Sequence, residues 1–207
     1  MLHIIKKGIN MANNSKYVTA GKPKIGGAIY TAPMGTTLPT NASSILSDDW
    51  KNLGYISEDG LTNSNSKDSE NVKAWGGDVV LTLLTEVTDT FAFSMLETMN
   101  EDVIKFRYGA DNVSGSGTED DNLVVRANSK DTDGVAIVVD MLLRDGAKKR
   151  VVIPQGKISE TEDITYVDGE AVAYGVTVTA LPGYEDGDTH KEFIIYANDE
   201  SSEDISE

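Results

Sequence analysis

The chain lacks cysteine altogether and has few histidines, prolines and cationic side chains. Its 207 residues include no Cys, two His, five Pro, and 18 Lys or Arg against 34 Asp or Glu, which gives a net charge of −16. Without cysteine, neither a disulfide framework nor a thiolate zinc site is possible. The shortage of clustered cations argues against binding nucleic acid through its phosphates. No apolar run approaches the roughly 18 residues that a membrane-spanning helix needs.

The length predicts one domain with appendages. A hydrophobic content of 39% is enough to bury a core in a chain of 207 residues. We expect a flexible arm at residues 1–20, a β domain at residues 21–197 and an acidic tail at residues 198–207. Residues 185–207 hold nine acids and one lysine, so about half of the net charge lies at this end of the chain.

Residues 72–108 contain the clearest periodic pattern in the chain. Apolar residues alternate through residues 79–87 with the period of two that is typical of a strand. Thr88 and Asp89 favour a turn, and the alternation resumes at residues 91–95. We therefore predict a hairpin here.

A helix is predicted directly after that hairpin, at residues 96–107. Its apolar side chains recur at steps of three and four, on one helical face: Leu96, Met99, Val103 and Phe106. Ser94 and Glu97 have the spacing of a capping box, and Gly109 favours the end of the helix.

The rest of the chain reads as short strands between polar turns, which predicts a mainly β fold with one helix. The nearly continuous apolar run at residues 134–144 is the candidate for the most buried strand. Asp145-Gly146 fits a tight turn, and Pro154 predicts an edge or a bulge in the next strand. The other predicted strands lie at residues 24–31, 53–56, 122–128, 147–158, 170–181 and 192–197.

Two long polar segments and one glycine-containing motif remain. Residues 32–52 and 57–71 are predicted to be long loops, the second as a hairpin tip or flexible segment. The two glycines of the motif at residues 75–78, WGGD, predict a bulge or a close backbone approach. Trp75 itself fits a place in the core, the favoured interpretation, or an interface anchor.

The candidate catalytic and metal motifs are weak. His3 and His190 both lie in polar terminal regions, and no nucleophile-elbow motif is present. Adjacent acidic residues occur at several places, and such pairs are expected by chance in a chain with 34 Asp or Glu. The sequence at 131–134, DTDG, resembles the start of a calcium loop but has Val135 and Leu142 where oxygen ligands are required. We therefore predict no enzyme activity and no catalytic, cofactor-binding or metal-binding residue.

Several stretches occur in the same order as in a known family. They are WGGD at 75–78, TFAFSMLET at 90–98, NEDVIKFRYG at 100–109, GVAIVVDML at 134–142, KKRVVIPQGKISE at 148–160 and GEAVAYGVTVTALPG at 169–183. In this succession the chain resembles the major tail protein (tail tube protein) family of long-tailed bacteriophages. The resemblance covers roughly residues 21–197.

The resemblance implies a β-sandwich or barrel of the tail-tube type, with one flanking helix and long loops. It also implies a virion protein that assembles in the host cytoplasm into hexameric rings stacked as a tail tube. Its implied partners are other copies of itself, a tape-measure protein, and tail initiator and terminator proteins, with DNA passing through the lumen without specific binding. No membrane partner is implied. The two long loops would then become ordered when rings stack, and an acidic lumen would repel DNA.

Two other hypotheses stay open at this point. An immunoglobulin-like or carbohydrate-binding adhesin module also fits the strand content, with Trp50 and Trp75 stacking on sugars. The predicted helix is not expected in such a plain sandwich. A hydrolase that uses paired acids is the third hypothesis, and no motif favours it.

Overall fold

The strands of the chain pair almost entirely into one antiparallel sheet, and a single α-helix follows its longest hairpin. The computed structural model describes residue 13 and residues 15–128, 130–184 and 186–197. Within these ranges there are eleven strands and one α-helix, α1 (Glu101–Tyr108). The strands are β1 (Lys22–Pro23), β2 (Ile29–Pro33), β3 (Lys51–Asn52), β4 (Ile56–Lys73), β5 (Val79–Met95), β6 (Val113–Ser114), β7 (Val124–Val125), β8 (Val135–Leu142), β9 (Lys148–Thr161), β10 (Tyr174–Ala180) and β11 (Lys191–Ile195). The prediction of a mainly β fold with one helix is confirmed.

Nine strands share the main sheet in the order β3-β2-β8-β9-β10-β5-β4, with β1 beside β8 and β11 beside β9. β6 and β7 pair separately. The long strand β9 joins two parts of the sheet, because its first half pairs with β8 and β11 and its second half with β10. No helix among the described residues is long and apolar enough to cross a membrane.

Pro154 lies at the point where β9 changes partners. β9 pairs with β11 up to Val152 and with β10 from Gly156 onward. The register with β8 also shifts between Val135 and Ile137, which is a bulge. Proline cannot donate a ladder hydrogen bond, so this break in the ladder accommodates it. Of the two predicted alternatives for Pro154, the bulge is confirmed.

The main core lies between the sheet and α1. The predicted burial of β8 is confirmed, since the run from Ala136 to Asp140 is buried throughout. Phe93 of β5 stacks on Phe106 of α1 with ring centroids 6.2 Å apart, which holds the helix to the sheet. The buried members of this core are Ile29, Leu53, Phe91, Phe93, Met95, Val103, Phe106, Ile137, Val139, Val151, Ile153, Val176, Val178 and Ala180.

The helix begins later than predicted. Its N-cap is Asn100, whose side-chain oxygen accepts a hydrogen bond from the backbone N–H of Asp102 at 3.0 Å. Ser94 lies within β5, and the Glu97 carboxylate accepts from the backbone N–H of Tyr55 at 3.1 Å. The predicted capping box is therefore wrong, because Glu97 is used to join the start of β4 to the segment before the helix.

As predicted, a glycine ends α1, and an Asp-Gly pair forms the turn between β8 and β9. Gly109 has a φ of 87° and donates its N–H to the carbonyl of Lys105 at the helix end. Asp145 and Gly146 have φ values of 58° and 84°, and this left-handed pair makes the tight turn between the two strands. Asp145 tolerates that conformation better than most side chains.

The predicted hairpin was placed wrongly. Thr88 and Asp89 form no turn, because β5 runs through them without interruption. The segment 57–71, predicted as a tip or flexible loop, is instead the partner strand β4. Two other predicted strands are much shorter than expected: residues 122–128 contain only β7, and residues 53–56 contain only the first residue of β4.

Candidate assembly interface

The outer part of the β4–β5 hairpin extends beyond the rest of the sheet, and no third strand among the described residues pairs with it. β5 pairs with β10 only from Thr90 to Met95, whereas its pairing with β4 continues outward to Val79 opposite Lys73. We call residues 65–89 the hairpin arm. At about 3.3 Å per residue, the β5 side of the arm is about 35 Å long. A two-stranded ribbon is only marginally stable in water on its own, so a surface that covered the arm would stabilise it.

The β5 side of the hairpin arm exposes apolar side chains. Each of six residues is between 47% and 62% exposed: Val79, Val80, Leu81, Leu83, Leu84 and Val87. Further along the same strand Phe91, Phe93 and Met95 are buried in the core. Because side chains alternate along a strand, this apolar surface is divided between the two faces of the arm. Clusters of exposed apolar side chains on a soluble protein mark interaction sites. The outer half of β5 is therefore the strongest candidate for an interaction surface.

Trp75 forms the end of the hairpin arm. The turn is closed by a hydrogen bond of 2.7 Å from the N–H of Ala74 to the carbonyl of Asp78, and Gly76 and Gly77 adopt positive φ angles of 118° and 99°. Trp75 is fully exposed, at 107% of its reference surface. The favoured prediction that Trp75 is part of the core is therefore wrong. The glycine pair makes the turn, and the register between β4 and β5 shifts directly after it, because Lys73 pairs with Val79 and Val72 with Leu81. The predicted bulge is therefore confirmed.

A buried carboxylate lies at the base of the hairpin arm. Asp89 is 1% exposed and accepts hydrogen bonds from Asn63 Nδ2 at 2.8 Å, Thr189 Oγ1 at 2.7 Å and His190 Nδ1 at 2.5 Å. Burial raises the pKa of Asp89, but these three hydrogen bonds outweigh it and hold the pKa below its usual range. The His190 ring also meets Phe91 edge-on, at 5.2 Å between centroids. These contacts bind both strands of the hairpin to the segment that precedes β11.

A second buried charge holds the segment at residues 34–50. Arg150 donates to Asp140 at 2.5 Å from Nε and 2.8 Å from Nη2, and Lys24 lies 3.0 Å from the same carboxylate. The remaining nitrogen, Nη1, donates to the carbonyls of Asn41 at 3.1 Å and Ser44 at 2.8 Å. The segment is thus fixed on the sheet within a single chain. The expectation that it becomes ordered only on stacking does not fit these contacts.

The sequence-level candidates for chemistry are not brought together. His3 lies outside the described residues, and His190 is hydrogen-bonded to the Asp89 carboxylate. Asp131 of the calcium-like motif forms an ion pair with Lys157. Among the described residues, no group of three His, Asp or Glu is arranged to hold a metal ion. Trp50, which the adhesin hypothesis assigns to sugar stacking, is 7% exposed and packs in a small second core.

The sequence pattern does not predict strand β4 or the burial of Asp89, and it favours the core for Trp75, for identifiable reasons. β4 is almost wholly polar, so no hydrophobic alternation marks it as a strand. Asp89 follows a threonine, and this pair of residue types is typical of a turn. Its role as a buried acceptor depends on Thr189 and His190, which are about 100 residues away in the sequence. The exposure of Trp75 follows from its place at the tip of the arm, beyond the residues of both cores.

Comparison with known proteins gives the context for this surface. A structure described as the anti-feeding prophage cap, a tube-terminating cap, is similar over 91% of this chain and 99% of its own, with 8% identity and a TM-score of 0.43. Comparison with curated proteins gives no match. The model of one family, described as phage tail tube protein, matches residues 11–202. The chain therefore belongs to the phage tail tube protein family and is a structural component of a phage tail.

Proposed function

We propose that this protein is the repeating subunit of a tail tube, in which hexameric rings stack around a tape-measure protein and later conduct DNA. The observation that carries this proposal is the hairpin arm, a two-stranded ribbon whose apolar side chains are left exposed by the residues that the structure describes. A second copy is a suitable partner, because the family is one of tail tube components. Contact between the arm and a different surface of the next copy is head-to-tail, and such contacts propagate into long assemblies.

Unpaired strand edges support contacts within a ring. β4 and β11 each pair on one side only among the described residues. Exposed edges of this kind invite pairing with another chain, and closure into a ring would cover them. Ile194, Ile195 and Tyr196 at the end of β11 are between 40% and 73% exposed, which adds apolar surface along that edge.

The charge of the subunit suits a conduit for DNA. A net charge of −16 gives each ring of six copies a strongly negative potential, and about half of it lies on residues 185–207. Acidic surface repels phosphates and offers no cation clusters for the duplex to bind. In this proposal DNA slides through the lumen without specific contacts, and the protein has no catalytic role.

The proposal also gives the protein a place in assembly. Subunits would fold in the host cytoplasm and add to a tail initiator around the tape-measure protein, and a terminator protein would cap the finished tube. The finished location is the virion tail. The carbohydrate-binding alternative gains no support, because Trp50 is buried.

Solution mass and negative-stain electron microscopy of the concentrated protein test this proposal. We expect rings or tubes of uniform diameter, alone or after addition of the initiator and tape-measure proteins. The matched variant Leu81→Ser/Leu83→Ser alters only exposed side chains of the arm, so it is expected to stay folded and monomeric. Persistent wild-type monomers under all of these conditions would refute the tube assignment.

A further inference from the structure

The hairpin arm ends in a fully exposed aromatic side chain, and the same molecule carries an open groove elsewhere. Trp75 is fully exposed at the tip. β5 runs from that tip into the domain and ends at Met95, six residues before α1 begins. At about 3.3 Å per residue, the 17 residues of β5 span about 55 Å. α1 therefore follows the end of β5 that is remote from Trp75.

The groove lies between α1, the end of β2 and the segment at residues 130–133, and we call it the α1 groove. Its volume is about 500 Å³, and its apolar lining consists of Ala32, Pro33, Phe106, Ala110, Val135 and Ile158. This volume falls within the range of about 300–1,000 Å³ that is typical of small-molecule sites. The rim holds five aspartates and three lysines. An indole is therefore a suitable occupant in both size and polarity.

We propose that Trp75 of one copy occupies the α1 groove of the next copy along the tube. This inference rests on the proposed function, and it adds the acceptor site of the arm. Because the tip and the groove are different surfaces on one molecule, the contact is heterologous. A heterologous contact that does not close into a ring repeats, as stacking along a tube requires. Aromatic side chains that insert into pockets are the usual anchors of such interfaces.

Charge favours the tip over the acidic tail as the occupant. The tip at residues 73–78 has one lysine and one aspartate, so its formal charge is zero. Residues 198–207 hold five acids and no cation. A rim with more aspartates than lysines repels that tail and accepts the neutral tip.

The absence of cysteine makes a direct cross-linking test possible. Ala74→Cys places a thiol beside Trp75, Ala110→Cys places one at the groove, and Ala171→Cys is an exposed alanine outside it. Singly substituted chains are mixed in pairs, assembled, and treated with a short bis-maleimide. We expect covalent dimers from Ala74→Cys with Ala110→Cys, and none from Ala74→Cys with Ala171→Cys. Equal yields from both pairs would overturn the inference.

Terminal segments are the other possible occupants, and they are tested in the same way. Ala12→Cys and Ser202→Cys are each mixed with Ala110→Cys. If either one gives dimers and the tip does not, a terminal segment fills the α1 groove and the inference is wrong.

Tryptophan fluorescence provides a second readout, because the chain has only two tryptophans. In Trp50→Phe the emission comes from Trp75 alone, and we expect it to shift to shorter wavelength when tubes form. Trp75→Ala should raise the concentration at which tubes appear by roughly 30-fold or more, as for truncation of an interface hot spot. Tubes that form without the shift would overturn this inference and leave the proposed function intact. Failure of the wild type to form tubes would refute the proposed function itself.

Discussion

Arg150 and Asp140 are register partners on neighbouring strands and form a buried, two-point ion pair. Their side chains are 1% and 4% exposed, and Arg150 also holds the carbonyls of Asn41 and Ser44. A charge buried this deeply is tolerated because each of the three guanidinium nitrogens has an acceptor nearby. The ion pair therefore fixes the segment at residues 34–50 as part of the folded subunit.

Replacing Arg150 tests this dependence. Arg150→Met leaves Asp140 buried with Lys24 as its remaining cationic partner. Removing one partner of a buried pair costs about 3–5 kcal/mol, and we expect a loss of that size in the free energy of unfolding by urea. Limited proteolysis should also begin to cut within residues 34–50.

Two control variants separate the ion pair from simple loss of side-chain volume. The double variant Asp140→Leu/Arg150→Met removes both charges and should recover much of the lost stability. Arg150→Lys keeps the charge but not the two-point geometry, so an intermediate stability is expected. A loss below about 1 kcal/mol in Arg150→Met would show that the pair is hydrated and contributes as little as a surface pair.

The carboxylate at the base of the hairpin arm predicts acid sensitivity. The pKa of Asp89 lies below its usual range, so folding favours the ionised form. The resulting stabilisation is complete above the unfolded-state pKa of about 3.9 and is lost as the pH falls through the folded-state pKa. We expect the urea midpoint to fall steadily below about pH 4–5.

Asp89→Asn should flatten that dependence. The variant cannot ionise, so it starts with a lower midpoint at neutral pH and loses less on acidification. The remaining slope comes in part from Asp140, whose pKa is also lowered because hydrogen bonds from Arg150 and Lys24 outweigh its burial. Asp120→Asn, in an exposed linker, is the matched control and should keep the wild-type slope. Identical slopes in wild type and Asp89→Asn would contradict the role of Asp89.

The sequence predicts correctly those parts of the fold that depend on residues adjacent in the chain. The apolar run of β8, the Asp145-Gly146 turn and the break at Pro154 all follow from neighbouring residues. The hairpin arm does not, because the pairing of a polar strand depends on what faces it. Asp89 shows the same limit, since three distant donors turn a residue typical of turns into a buried acceptor. The sequence alone therefore does not predict the hairpin arm as an interaction surface, although the apolar alternation of its β5 side, residues 79–87, is evident in the sequence.

Two valines on different strands distinguish folding from assembly. Val138 is fully buried in β8, whereas Val80 in the hairpin arm is 62% exposed. Val138→Asp buries an unpaired charge, which costs more than about 4 kcal/mol and should unfold the domain. Val80→Asp should change the free energy of unfolding by no more than about 0.5 kcal/mol, yet prevent tube growth.

Circular dichroism melts and electron microscopy of both variants check these expectations. A Val138→Asp protein that melts like the wild type would show that β8 is not central to the fold. A Val80→Asp protein that still forms long tubes would remove the outer half of β5 from the assembly surface.

The hairpin arm can also be removed as a unit. Ser66 and Thr88 are register partners, so joining them through Asn-Gly closes the shortened hairpin with a tight turn of the favoured type. The variant keeps Asp89, Asn63 and the whole core, and we expect a melting temperature close to that of the wild type. It lacks the apolar strand and Trp75, and we expect it to remain unassembled at every concentration at which the wild type forms tubes.

The position of this cut matters, because a deletion inside β4 would give a different result. Removing residues 63–68 eliminates Asn63, which donates to Asp89 and to the carbonyl of Thr90, and leaves β5 longer than its partner. Such a variant is expected to lose stability as a monomer, so a failure to assemble would not identify an interface. The Asn-Gly variant avoids that loss, since the register is kept up to the new turn. If it melts normally and still builds tubes, contacts between copies are made elsewhere on the domain, and the apolar arm is not the surface that joins them.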